Sequence, residues 1–505
     1  MKTLRWAAII LLFVLLGTLL IHDLDSINQD IGRHLKTGQI IWETKSVPKT
    51  NTFSFTEPDF PFINHHWLSE VVFFLLYGLI GLKGLIVFKA LIILCAFLLL
   101  FKATDKEATT GSFLISGLAS ILVFSYRTDV RPEIFSYLFL AFFLFAILRA
   151  KYRKEYHWLY VLPFVQLLWT NMHIYFVIGP MLIFLLLADR WFYKESPVIL
   201  KKIFWIFLAT CATTLINPNF IRGALVPLNI LKNYGYSIVE NQSIFFLTDY
   251  GVSLKYINLF EISLVILILS FVIAFKKTSG HKKILFESLF IIVFSILAAK
   301  MIRNFGIYAL AFVPIVSLNL STIKSWAAIN RQGFKILGYL ASIILSLVMI
   351  YNVSHNSFYV WAGSSEKFGL AISVGSNKGV EFVKQNQIKG PVFNNFDVGS
   401  FLIWKLYPQQ KVFVDGRPEA YGVDFFEKIY KPMQEDPILW KKYSDLYYIN
   451  YVFFDYMDMT PWAQKFLADI SQNPNWPLVY YDDSTIILVK RTPENREIIK
   501  KFTKH

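Results

Sequence analysis

The sequence predicts a polytopic α-helical membrane protein of about eleven spans with a C-terminal α/β domain. Three observations carry that prediction. Hydrophobic residues fill 55% of the 505 positions and charged residues only 17%, which is richer in apolar side chains than a soluble domain. Apolar runs of about 15 to 20 residues recur as far as position 352. After Val353 the texture changes to short strand-like and helix-like stretches in alternation.

The first run, Trp6 to Ile21, follows Lys2 and Arg5. Because the chain then continues into IHDLD with no small-x-small cleavage site, it reads as a retained signal-anchor helix. Further runs lie near 84–102, 112–126, 134–149, 157–170, 173–189, 203–217, 258–275, 285–300, 304–320 and 336–352. With the N-terminus cytoplasmic, FKATDKE, RAKYRKEYH, DRWFYKESPVILKK, KKTSGHKK and STIKSWAAINRQGFK all fall inside, as the positive-inside rule requires. One further stretch, WLSEVVFFLLYGLIGL from Trp67, would reverse every later loop if it crossed. It is therefore read as a helix lying in, or re-entering, the outer face.

An odd number of spans places the tail outside. The expected domains are a transmembrane domain over 1–352, with a first outer loop at 22–83, and an extracytoplasmic α/β domain over 353–505 of a cell inner or plasma membrane protein. In the tail, GPVFNN, QKVFVDG, YYINYVFFD, PLVYYDD and TIILVKR read as strands. GVEFVKQN, DVGSFLIWKLY, YGVDFFEKIYKPM and TPWAQKFLADI read as helices.

A net charge of +15 raises the question of nucleic acid, but the basic residues gather in the loops between spans and form no binding stripe. Cys95 and Cys211 lie inside apolar runs and read as small core residues, not as a disulfide or metal site.

On this topology the distinctive polar motifs fall at outer helix ends. The first loop holds DLDSINQDIGRHL, with Asp23, Asp25, Asp30, Arg33 and His34, and later INHHWLSE, with His66 and Glu70. Other outer ends supply YRTDVRPE with Arg131, WTNMHIY with Asn171 and His173, INPNFIRG, and KMIRNFG with Lys300 and Arg303. Ionisable groups at a membrane boundary are costly and point to a functional cavity. Plainer roles stand beside that one. Asp23 and Asp25 also read as solvated loop carboxylates, Asp30 and Asn64 as helix N-caps, and His173 as a satisfied hydrogen-bonder. Arg131 and Arg303 equally suit structural partners of Asp129 and Glu133. Carboxylates facing arginines suit a lipid-phosphate donor. The cations hold the phosphate and stabilise its departing charge, while a carboxylate takes the acceptor's proton. Such a reaction needs no nucleotide, which fits the lack of any Walker or Rossmann glycine motif.

The layout resembles the GT-C class of integral-membrane glycosyltransferases, which use polyprenyl-phosphate-linked sugars and include protein O-mannosyltransferases and the aminoarabinose transferases of lipid A. It is most similar to a bacterial subgroup whose motifs stand here as DIGRHL, VPKTNTFSFT, HHWLSE, RPEIFSY, WTNMH, INPN and VFVDGR. The resemblance runs over nearly the whole chain. It implies a glycosyltransferase that inverts the anomeric carbon, with its first-loop catalytic carboxylate on Asp30, or else Asp25 or Asp23. A second polar position of the class falls on His66 or Glu70. Arg131, Arg303, Lys300, Arg33, His34, His173 and Asn171 would hold the lipid phosphate. A divalent Mg or Mn ion, where members use one, would sit on Asp25 and Asp30. The partners implied are a polyprenyl-phosphate sugar, a glycan, lipid or protein acceptor, and membrane lipids. The Lys-Pro-Pro element of the aminoarabinose enzymes and the mannosyltransferase hallmarks are absent, which leaves sugar and acceptor open. The same cavity without a catalytic base would suit a flippase for a lipid-linked saccharide, and the outer domain alone would suit an envelope scaffold.

Overall fold

The computed structural model describes the chain apart from residues 26–29, 230–231, 253, 278–283, 323–331, 374 and 504–505. Part of the first acidic loop and most of the last two basic loops thus lie outside the described residues. The described chain forms two compact units. One comprises Met1–Asp23, Lys83–Pro227 and Ile238–Ala371, and the other Leu24–Leu82, Leu228–Ser237 and Ile372–His505.

The first unit is helical, and each of the eleven apolar runs lies in helix. Among the described residues, seven helices are long and apolar enough to cross a membrane, including Lys2–Leu20, Glu133–Arg153, Lys255–Phe275 and Gln332–Ser354. Several other runs make shorter helices, such as Thr110–Phe124 and Leu285–Lys300. Phe305–Leu320 is buried along almost its whole length and packs on Thr110–Phe124. Small hydroxyl residues let those two helices approach and pair across the contact. Ser116 Oγ lies 2.6 Å from Ser317 Oγ, and Ser120 Oγ donates to the Ala309 carbonyl at 2.7 Å.

The stretch from Trp67 is continuous with the next apolar run as one helix, Trp67–Thr104, broken at Gly81. Gly81 has φ +65°, a conformation only glycine adopts readily, and the helix kinks there. Cys95 and Cys211 are free thiols, but Cys95 is exposed and not a core residue. A small apolar side chain faces hydrocarbon as comfortably as a protein core.

A buried ionic layer ties three helices of this unit. Lys151 Nζ reaches Asp189 at 3.0 Å and Glu287 at 2.5 Å, while Arg190 donates twice to Asp189 at 2.8 and 2.9 Å. Each charge there is matched.

The second unit carries a four-stranded sheet in the order β3 (Val392–Asn394), β4 (Tyr451–Asp455), β6 (Thr485–Val489), β5 (Leu478–Tyr481). The β3–β4 pair is parallel, and β4–β6 and β6–β5 are antiparallel. β4 is buried throughout, as its unbroken YVFF run predicts for a central strand. A further short pair, β1 (Leu24–Asp25) and β2 (Ile372–Ser373), is parallel. Helix Phe396–Leu406 packs on the sheet core through Val398, Phe401 and Leu402, and helix Ile31–Thr44 packs on that helix in turn. The QKVFVDG strand expected from sequence is absent. That segment makes only an isolated bridge from Val412 to Ser54, because its partner is a first-loop residue and not the sheet.

Candidate functional site

In the first unit the charged loop ends gather into two adjoining groups. The first surrounds Lys89, a fully buried ammonium inside an apolar helix. Its Nζ lies 3.0 Å from His22 Nε2, and His22 Nδ1 lies 2.9 Å from the Asp23 carbonyl oxygen. Burial, and then the Lys89 charge, pull the His22 pKa down to about 4. His22 Nε2 also lies 3.0 Å from the Thr128 carbonyl oxygen, so the ring is held between Lys89 and two backbone carbonyls. Burial and the neighbouring Asp129 push the Glu366 carboxyl up to about 8, against the opposing pull of Lys89. His22, Asp129 and Glu366 offer ligand atoms within 4.8 Å of one another, the one such triad among the described residues. Neither Asp25 nor Asp30 belongs to it. Lys89 already supplies a positive charge against this triad, so a dication would have to displace it.

The raised Glu366 pKa makes a stability prediction. A folded pKa above the unfolded value stabilises the protein fully below about 4.5, and that contribution is lost as pH rises through about 8. Thermal melting of the wild type is therefore expected to fall more steeply between about pH 4.5 and 8 than that of Glu366→Gln, which imitates the protonated side chain. Parallel melting curves for the two proteins would contradict it.

The second group begins at YRTDVRPE. Arg127 forks onto Glu133 at 2.7–3.1 Å, and both side chains are buried. A second carboxylate, Glu240, lies 2.7 Å from Arg127 Nη1 and 3.0–3.1 Å from Arg131 Nη1. Arg131 Nε is 3.6 Å from Asp129, which joins the two groups. Arg303 donates to the Asn241 side chain at 3.0 Å. Burial alone would raise the Glu240 carboxyl, but Arg127, Arg131 and Arg303 outweigh it and hold Glu240 well below the usual carboxylate range.

The other residues expected in this unit serve more local ends. Asn171 donates to the Leu167 and Ile216 carbonyls at 2.9 Å, and His173 Nδ1 lies 2.9 Å from Ser136 Oγ. Lys300 is exposed at the last turn of Leu285–Lys300, where a cation complements the helix dipole. Asp23 accepts from the Lys367 backbone N–H at 2.7 Å.

The remaining expected residues lie in the second unit. Glu70 receives His34 Nδ1 at 2.8 Å, Asn64 Nδ2 at 2.5 Å and the Arg33 guanidinium at 3.5 Å. All four side chains are buried. Burial, and then Arg33, lower the His34 pKa, so this imidazole is neutral. His66 packs edge-on against His34 with ring centres 5.6 Å apart. Asp30 stands at the N-cap of Ile31–Thr44, yet its side chain makes no cap bond. With φ +55°, it turns to accept from Ser400 Oγ at 2.5 Å. Gly416 makes room for it, since a Cβ there would lie 2.5 Å from Asp30 Oδ1. Asp25 sits in β1. The DGR turn is a buried ion pair, with Arg417 donating twice to Asp415 at 2.7 Å and once to Asn51 at 2.8 Å.

The site residues that reading the sequence did not select are Lys89, His22, Asp129, Glu240 and Glu366. Lys89 had a signal, since it is the one charge inside its apolar run between 84 and 101. Glu240 and Glu366 stand in loops without a motif.

No protein-family model and no curated protein matches the sequence. Among solved structures, the chain is similar to the archaeal oligosaccharyltransferase AglB from Archaeoglobus fulgidus, solved with an inhibitory peptide and a dolichol-phosphate. The TM-score is 0.62 at 11% identity, over 97% of this chain and 74% of that one. It is also similar to the arabinofuranosyltransferase AftD from Mycobacteria, with TM-score 0.53 at 13% identity over 98% of this chain and 40% of that one. ArnT from Cupriavidus metallidurans, bound to undecaprenyl phosphate, matches at TM-score 0.51 and 12% identity, over 98% of each chain. The fold is that of GT-C membrane proteins, as the motif resemblance implies.

Proposed function

We propose that the protein is a membrane glycosyltransferase moving a sugar from a polyprenyl-phosphate donor to an extracytoplasmic acceptor. The observation that carries this reading is the position of Asp129. It is a partly exposed carboxylate, 3.6 Å from Arg131 on one side and within 4.8 Å of the His22 and Glu366 ligand atoms on the other. The shared fold supports it, and the lipid phosphates bound to AglB and ArnT suggest the donor class.

In the proposed step the acceptor's hydroxyl or amine gives its proton to Asp129 as its oxygen or nitrogen bonds the anomeric carbon. The bond from that carbon to the phosphate oxygen breaks, and its electron pair leaves with the polyprenyl phosphate. Attack opposite the leaving group inverts the centre. Arg131 and Arg303 hold the departing phosphate, where charge grows in the transition state. Lys89, beside His22 of the same group, supplies the fixed positive charge there, and no step is routed through a metal ion. Asp30, with one oxygen engaged by Ser400, is given the structural task of fixing the start of its helix. In this reading the N-terminus is cytoplasmic and the tail domain extracytoplasmic, as the basic loops require.

The test is lipid binding by Arg303→Ala. Charged hydrogen bonds contribute about 1.5–3 kcal/mol each, so undecaprenyl phosphate should bind roughly tenfold or more weakly by native mass spectrometry. Unchanged binding would remove Arg303 from the phosphate site.

A further inference from the structure

Arg127 and Arg131 share a carboxylate that does not belong to their own motif. Glu133 is the permanent partner of Arg127, since both are buried to within 2%. Glu240 differs. Its side chain is 23% exposed, like the 19% of Arg131, and it stands on the short turn Val239–Asn241. Its two oxygens bridge Arg127 and Arg131, and its neighbour Asn241 accepts from Arg303. One anion bridging two guanidiniums, with a third arginine alongside, is the arrangement a phosphate makes with an arginine cluster.

We propose that Glu240 is a built-in stand-in for the donor's phosphate, neutralising Arg127 and Arg131 while the site is empty and yielding them to a phosphate or diphosphate anion. This rests on the assignment of Arg131 and Arg303 to the phosphate, and adds how that site is kept when no donor is bound. Without Glu240 or another anion between them, three arginines would share only Glu133 and Asp129 in a part-desolvated site, at a cost that Glu240 offsets. A phosphate brings more acceptor oxygens and more charge than one carboxylate, so it displaces Glu240. The displacement lowers apparent donor affinity, and it lets the phosphate leave when the carboxylate returns.

The experiment uses the full-length protein in detergent, titrated with undecaprenyl phosphate and read by native mass spectrometry and thermal shift. Glu240→Gln keeps the side chain's size and removes its charge. It should bind the lipid about 5- to 10-fold more tightly than wild type. Equal or weaker binding by the folded variant overturns the proposal. If Glu240→Gln does not survive purification, Glu240→Asp serves in its place. Withdrawing the carboxylate by one methylene should also tighten binding, and equal or weaker binding again overturns the idea.

Inorganic phosphate as competitor separates headgroup from tail. It should displace the lipid, and more readily from Glu240→Gln. Lipid that inorganic phosphate never displaces is held by its tail, which also defeats the proposal. Arg303→Ala keeps the two hypotheses apart. Loss of binding there with unchanged Glu240→Gln sinks only the stand-in, whereas normal binding by Arg303→Ala sinks the phosphate site itself.

Discussion

Replacing Asp129 by Asn is expected to lower sugar transfer by about 10²–10⁴-fold, the usual contribution of a general base, while leaving donor binding within a few-fold of wild type. The substitution is isosteric and removes only the charge and the basicity. Arg131 would lose a partner at 3.6 Å but keep Glu240 at 3.0 Å, so the arginine group should stay in place. That split between binding and turnover distinguishes a base from a structural acid. Asp30→Asn is the control. Its bond from Ser400 survives as a neutral one, and transfer should fall by far less. If Asp30→Asn abolished transfer and Asp129→Asn did not, the base would be the first-loop carboxylate and the present assignment would be wrong.

Arg417→Ala is expected to destabilise the second unit by about 3–5 kcal/mol, the usual cost of leaving one member of a buried ion pair alone. Asp415 has no exposure, and two of its three side-chain donor contacts come from Arg417, the third being the Tyr421 hydroxyl at 3.0 Å. The guanidinium also lies over the Phe53 and Phe62 rings, at 5.2 and 4.7 Å, and donates to Asn51. Its loss therefore loosens the first-loop residues as well as the turn. Arg417→Lys keeps the charge without the planar fork and should fall between wild type and alanine. Thermal melting and limited proteolysis in detergent report the effect. An alanine variant melting within a degree of wild type would show that Asp415 finds another partner.

Periodicity and loop charge made the helical part of the fold legible. Each apolar run is helix, and the run from Trp67 joins the next one in a single helix broken at Gly81. Most tail strands were legible too, because YVFFD and TIILV are β-branched or aromatic and bounded by turn residues. QKVFVDG has the same texture and failed, since strand-like composition does not say whether a sheet edge is available to it.

The site was legible in its arginines and not in their partners. Arg131 stands in a motif, whereas Glu240 is more than a hundred residues downstream in a loop of ordinary composition. The weight placed on Asp30 came from its company in DIGRHL. Ser400 and Gly416, which hold it, are a pairing that no local pattern records. Lys89 could have been found, because an ammonium in the middle of an apolar run needs a partner wherever the chain goes.

The most direct measurement of the proposed reaction is the identity of the lipid that co-purifies with the protein. Wild type and Asp129→Asn would be expressed in the same cells, extracted under the same conditions and compared by native mass spectrometry with lipid extraction. Asp129→Asn should retain a polyprenyl-phosphate sugar, the unreacted donor, where wild type carries the bare polyprenyl phosphate. The mass difference then names the sugar. No polyprenyl lipid on either protein, even when undecaprenyl phosphate is supplied in excess, would contradict the transferase.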